Sequence, residues 1–122
     1  MAMQAHGMLL FETLRRGIEE RDADTLVGCY AEDAELQTVN RDATPSSPRV
    51  LRGKEEISKY LREVCAREMT HRVGNEVVGE NRIAFNEVCE YPDGTRVLGA
   101  ETLELRDGKI VRQMNVEAWD ER

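Results

Sequence analysis

Residues 82–119 read RIAFNEVCEYPDGTRVLGAETLELRDGKIVRQMNVEAW, and the way this stretch divides settles the fold class. Three runs, RIAFNEVCEY, TRVLGAETLEL and KIVRQMNVEAW, alternate apolar and polar residues with the period of a strand that has one face covered. Asp93-Gly94 and Asp107-Gly108 separate them, and Asp-Gly between alternating runs is a strong hairpin signal. A fourth run, HRVGNEVV, precedes them. The reading is an antiparallel meander. Within it Glu101 shares a face with Val97, Gly99, Leu103 and Leu105. If that face is interior, an acid there needs a partner or a raised pKa.

Working back toward the start, the period changes to that of a helix. GKEEISKYLREVCARE places Ile57, Tyr60, Leu61, Val64 and Cys65 on one stripe, with Glu55 and Glu56 in the first turn, where the helix dipole favours them. Met3, Leu10, Leu14 and Ile18 predict another helix over residues 3–20. ERDAD interrupts it, and Asp22 or Asp24 is placed to cap a short second helix holding Leu26, Val27 and Tyr30. AELQT reads as a short strand. VNRDATPSSPRVLR, with two prolines and no apolar cluster, reads as a loop of the kind that forms lids or binding segments. The order is therefore helix, helix, strand, helix, meander: an α+β domain with its helices on one face of a curved sheet.

The 122 residues suit a single domain spanning 1–122. A net charge of −7 argues against nucleic acid or an anionic membrane surface as partner. No apolar run approaches the roughly 18 residues of a membrane span. MAMQAHGMLL lacks the features of a signal peptide, and the three cysteines have no CxxC spacing, so a cytoplasmic location with reduced thiols is expected. Two histidines without HxxxH-type spacing predict no metal site, and nothing calls for a cofactor.

In the stretches ERDADTLVGCYAEDAEL, LRGKEEISKYL and LRDGKIVRQMNVEAW, and in their order, the chain resembles the nuclear transport factor 2-like superfamily, within it the SnoaL-like and ketosteroid isomerase-like groups. The resemblance implies a cystatin-like cone: a curved antiparallel sheet wrapped around three helices, with a pocket between them. It also implies a small-molecule ligand and, commonly, a homodimer. Glu101 falls where the ketosteroid isomerase has a protonated aspartic acid, and Tyr30 where it has a supporting tyrosine. The rest of that site is missing, since its base corresponds to Thr38 and its oxyanion tyrosine to Leu14. The arginine and two aspartates of limonene epoxide hydrolase fall at Ala84, Asn86 and Asn115. Neither reaction is expected.

The hairpins phase the strands. A two-residue turn at Asp93-Gly94 sets Val88 opposite Gly99, Asn86 opposite Glu101 and Ala84 opposite Leu103. Around RDGK a two-residue loop sets Met114 opposite Glu101, and a three-residue loop with a bulge sets Gln113 there. The resemblance favours the second, because related chains point the residues equivalent to Gln113 and Asn115 inward. The concave face then holds Ala84, Asn86, Val88, Val97, Gly99, Glu101, Leu103, Val111, Gln113, Asn115 and Glu117. Asn86, Glu101 and Gln113 form one row, in which amides steady the acid. The convex face holds Phe85, Cys89, Tyr91, Leu98, Ala100, Ile110, Met114 and Val116, apolar enough to predict a homodimer through it.

Two readings follow. In the first, Glu101 is an acid–base residue of a cofactor-independent isomerase, cyclase or dehydratase. His71 would be its second proton carrier, and Tyr30, Asn86, Val88, Gly99, Leu103, Gln113, Asn115 and Glu117 would line the substrate site. In the second the pocket binds a small hydrophobic molecule without chemistry, or the chain is a dimeric accessory module, and Glu101 is satisfied by Asn86 and Gln113. Against His71 stands its place at a strand start, where histidines are commonly surface residues. Glu117 and Glu90 read as rim residues, Tyr60 and Trp119 as packing, and Arg112 and Glu104 as outward-facing. A proton-transfer partner for Glu101 separates the two readings.

Overall fold

The computed structural model describes residues 2–120, with side chains from residue 7 onward. Its elements are α1 (Ala2–Glu19), α2 (Ala23–Val27), β1 (Tyr30–Val39), β2 (Arg49–Arg52), α3 (Gly53–Ala66), β3 (Thr70–Val78), β4 (Arg82–Glu90), β5 (Arg96–Arg106) and β6 (Lys109–Trp119). The strands form one sheet in the order β2-β1-β6-β5-β4-β3. The helices cover one face of it. No helix among the described residues is long and apolar enough to cross a membrane.

Local chemistry accounts for the helices. Asp22 caps α2 by accepting from the Thr25 amide at 3.2 Å and the Thr25 hydroxyl at 2.7 Å. Glu56 reaches back from the first turn of α3 to the Arg52 amide at 2.9 Å, satisfying a donor the helix leaves free. On α1 Leu10, Phe11 and Leu14 are buried, whereas the side chain of Met3 lies outside the described residues. Phe11 is wholly buried, its ring 5.9 Å from that of Phe85 on β4. Leu36 of β1, Ile57 of α3, Ile83 of β4 and Ile110 of β6 complete the centre of the core.

The sheet departs from the expected one in four ways. It is mixed, because β1 runs parallel to β6, Leu36 beside Gln113 and Thr38 beside Asn115. That pairing joins residues far apart in the chain, so no local turn announces it. β1 also begins at Tyr30, which belongs to the strand and not to α2. The expected loop at residues 39–52 contains β2, antiparallel to β1, and a tight turn in which the Asn40 side chain accepts from the Asp42 and Ala43 amides.

The fourth departure sets the site. The β4–β5 loop has three residues, Pro92, Asp93 and Gly94, closed by the Tyr91 amide donating to the Thr95 carbonyl at 2.9 Å, with Gly94 at φ +89°. The two-residue turn would pair Pro92 with Thr95 and require an N–H that proline lacks. One residue of slip turns every side chain of β4 to the other face. Glu101 therefore sits opposite Phe85, Gly99 opposite Glu87, and Val97 opposite Cys89. The β5–β6 loop has two residues and not the expected three, with Asp107 at φ +52° and Gly108 at φ +75°, the type I′ geometry. A bulge beyond it, between the Leu105–Ile110 and Glu104–Arg112 pairs, brings Gln113 and Asn115 inward as expected, but with Asn115 opposite Glu101. Ile110 turns into the core instead of outward.

Candidate functional site

A cavity of about 110 Å³ lies between the helices and the concave face. Leu14 and Ile18 of α1, Leu26 of α2, and Tyr60, Leu61 and Val64 of α3 form its apolar wall. The sheet supplies the polar wall with His71, Glu87, Cys89, Glu101, Gln113, Asn115 and Glu117. Trp119 and Tyr91, their rings 5.9 Å apart, also border it. Gly99 keeps one spot of the sheet clear: a Cβ there would stand 3.7 Å from Glu101 Oε2, so the position accepts a side chain only by filling space in front of the acid.

Glu101 is 6% exposed and sits in a continuous hydrogen-bonded chain. On one side Gln113 Nε2 donates to Glu101 Oε1 at 2.8 Å and to Asn115 Oδ1 at 2.9 Å. The Tyr30 hydroxyl donates to Gln113 Oε1. On the other side the Glu101 carboxyl adjoins that of Glu87, a diagonal neighbour on β4, near enough for the two to act on each other's proton. Glu87 Oε2 in turn lies 2.9 Å from His71 Nδ1 and accepts from Cys89 Sγ at 3.1 Å. Among the described residues no buried side-chain nitrogen or oxygen lacks a partner.

The two carboxyls are pushed apart. Burial, the charge of Glu87 and the hydrogen bond to it hold Glu101 well above the usual carboxylate range. Burial would raise Glu87 as well, but the bonds from His71, Glu101 and Cys89 outweigh it and keep that carboxyl below its ordinary value. The pair thus holds one proton, on Glu101, which donates to ionised Glu87. Because ionised Glu87 can only accept, His71 Nδ1 carries a hydrogen. Burial raises the Tyr30 phenol well above its ordinary pKa, with Glu101 adding to the effect, so Tyr30 remains a donor. Burial followed by the Glu87 charge raises the Cys89 thiol, so Cys89 is a thiol and not a nucleophile.

Of the residues expected at the site, His71, Glu101, Tyr30, Gly99, Gln113, Asn115 and Glu117 border the cavity. Glu117 lies toward its edge, accepting from Asn40 Nδ2 at 3.0 Å and Trp119 Nε1 at 3.4 Å. Asn86 and Val88 do not border it. The three-residue loop turns them to the convex face, where Asn86 accepts from Asn75 Nδ2 at 2.8 Å and Val88 is 40% exposed. Leu103 faces inward but is core, away from the cavity. Glu90 pairs with Arg96 at 2.8 Å, exposed. The residues missed are Glu87 and Cys89, and Pro92, which forbids the shorter turn, was the signal that could have found them.

A family model described as the SnoaL-like domain matches residues 11–113. No curated protein matches the chain at a significant level. Among solved structures, an NTF2-like protein of unknown function from Mesorhizobium loti superposes with a TM-score of 0.84 at 14% identity, covering 94% of this chain and 93% of that one. A SnoaL-like protein of unknown function from Burkholderia thailandensis gives 0.69 at 20% identity, covering 97% of each chain. A Mycobacterium tuberculosis protein in complex with estradiol-17beta-hemisuccinate gives 0.72 at 17% identity, covering 90% of this chain and 92% of that one. These identities carry the likeness of fold alone.

Proposed function

The chain belongs to the SnoaL-like domain family, and on that premise we propose that it is a small-molecule pocket protein that performs cofactor-independent acid–base chemistry, as an isomerase, cyclase or dehydratase. The observation that carries the reading is the Glu101–Glu87–His71 chain along the cavity wall. It supplies the proton-transfer partner whose absence separates catalysis from plain binding. A protonated acid stands beside a carboxylate that orients an imidazole, two groups whose environments suit opposite roles.

For a carbonyl substrate the steps balance as follows. The carbonyl oxygen enters over Gly99 and takes over the Glu101 hydroxyl that Glu87 holds in the resting site. His71 Nε2 removes a proton from the adjacent carbon, the C–H electrons form the C=C bond of the enol, and the Glu101 proton moves to the oxygen. Return of a proton from His71 to a different carbon completes an isomerisation, and Glu101 recovers its own from the enol hydroxyl. An apolar cavity of about 150 Å³ holds a benzene ring, so the 110 Å³ here encloses less than one such ring and the rest of a ligand extends beyond it. The ligand-bound Mycobacterium tuberculosis structure supports a small-molecule occupant by analogy of fold.

A second reading, binding without turnover, draws on the complete internal satisfaction of the polar wall. One experiment separates them. Carbonyl and hydroxy compounds are screened by thermal shift on the parent and on Gly99→Val, which fills the space before Glu101. A compound that stabilises the parent by several degrees and not the variant locates its site in the cavity. Solvent-deuterium incorporation into that compound, read by NMR, is expected with the parent. Binding without exchange would leave the second reading, and an equal shift in Gly99→Val would move the ligand elsewhere.

The convex face supports a homodimer. The cross-strand neighbours Leu98 and Val88, and Val116 beside Ala100, expose apolar surface, with Leu98 at 49% and Val116 at 47%. Light scattering at micromolar concentration is expected to give twice the 13.9 kDa chain mass, and Leu98→Glu to give the single mass. A monomeric parent would remove the assignment.

A further inference from the structure

We propose that His71, Glu87 and Cys89 form a binding site for a divalent transition-metal ion of the zinc class, open on one side to the cavity. The composition and spacing of the sequence predicted no metal, because the three residues are not adjacent in any ligand motif. The corrected register assembles them. His71 of β3 pairs directly with Cys89 of β4, and Glu87 lies two residues earlier on the same face of β4.

The donor atoms form a compact triangle. His71 Nδ1 lies 2.9 Å from Glu87 Oε2 and 3.2 Å from Cys89 Sγ, and Cys89 Sγ lies 3.1 Å from Glu87 Oε2. In a tetrahedral zinc site with ordinary bond lengths the corresponding edges are about 3.3–3.6 Å. Each edge therefore opens by about half an ångström or less to admit the ion, within reach of small side-chain rotations. Imidazole nitrogen, thiolate sulfur and carboxylate oxygen together match zinc, or cobalt(II) in its place, and not magnesium or calcium.

The surroundings favour a held ion. The His71 side chain is 4% exposed and that of Glu87 16%. All three ligands border the cavity, so a fourth position faces it and is free for water or a ligand atom, the open form of a zinc site. Glu101, the diagonal neighbour of Glu87 across β4 and β5, stands beside the ligand carboxylate as an outer partner. Binding exchanges the Cys89 thiol proton for the ion: the S–H bond breaks, the sulfur lone pair goes to the metal, and the proton leaves to solvent. The His71 ring gives up its Nδ1 hydrogen to solvent and takes one up on Nε2, so that the neutral imidazole presents its Nδ1 lone pair.

The test uses untagged, chelator-treated protein and cobalt(II) alone as probe. The parent is expected to bind one equivalent, with a sulfur-to-cobalt charge-transfer band in the ultraviolet and the intense visible bands of tetrahedral cobalt. Cys89→Ser loses the charge-transfer band, Cys65→Ser keeps it, and His71→Ala weakens binding at least about tenfold. Absence of the band in the parent, its survival in Cys89→Ser, or its loss in Cys65→Ser would overturn the site. Should Cys89→Ser not fold by far-ultraviolet circular dichroism, His71→Ala decides, and an unchanged cobalt affinity in that variant refutes the site. The acid–base reading is tested separately by deuterium exchange in metal-free protein, so either result can fail without the other.

Discussion

Glu101→Gln is expected to lower turnover of any exchanged substrate by about 10²–10⁴-fold, the range that a positioned general acid contributes. The same change is expected to make the metal-free fold more stable at neutral pH. Glutamine keeps the donor toward Glu87 and removes the proton whose loss would place two charges side by side. The direction of the pH dependence follows from the shift. Burial and the Glu87 charge raise Glu101 in the folded state above its ordinary value. Its contribution is therefore fully present below the unfolded pKa and is lost as pH rises through the folded one. The melting-temperature advantage of Glu101→Gln over the parent should accordingly be small near the ordinary carboxylate pKa of about 4 and grow as pH rises above it. Glu87, held low, behaves oppositely: its contribution is present above its ordinary pKa and is lost as pH falls. Thermal melts of both proteins across that range check the result. A pH-independent difference would mean that Glu101 is not the proton carrier of the pair.

Phe11→Ala is expected to destabilise the fold by about 3–5 kcal/mol, a large share of the roughly 5–15 kcal/mol that holds a domain together. Phe11 has no exposed surface, and its ring packs on Phe85, which lies directly opposite Glu101 on the neighbouring strand. Truncation leaves a void under the strand that carries Glu87 as well. The helix cannot close it, because Leu10 and Leu14 on either side are already buried against the same surface. Urea unfolding is the measurement. Leu9→Ala is the control, since Leu9 is 67% exposed on the other side of α1, and a change within about 0.5 kcal/mol is expected there. Equal losses for the two variants would mean that α1 does not pack as described.

The helices and the meander were legible from their periods, a cap at Asp22 or Asp24 from their position before Leu26, with the structure choosing Asp22, and the inward face of β6 from the comparison of related chains. The site was legible only in part. Glu101, Gln113, Asn115, Tyr30 and His71 could be named, but the partner of Glu101 was sought on the wrong side of β4. Asn86 and Glu87 are neighbours in the chain and opposites in the sheet, so one residue of loop length exchanged them. Proline at position 92 carried the answer, through the N–H it lacks, but Asp-Gly beside it offered a more familiar turn. The β1–β6 pairing left no comparable trace.

Periodicity, turn chemistry and charge specify an acidic α+β domain and an acid on its inner face, because those properties depend on residues near one another in the chain. Which side chains meet that acid depends on register and on strands brought together from distant segments. Register is a parity: a one-residue slip leaves composition and alternation unchanged and reverses every contact. The folded sheet alone therefore sets Glu87 against Glu101, and His71 and Cys89 against Glu87.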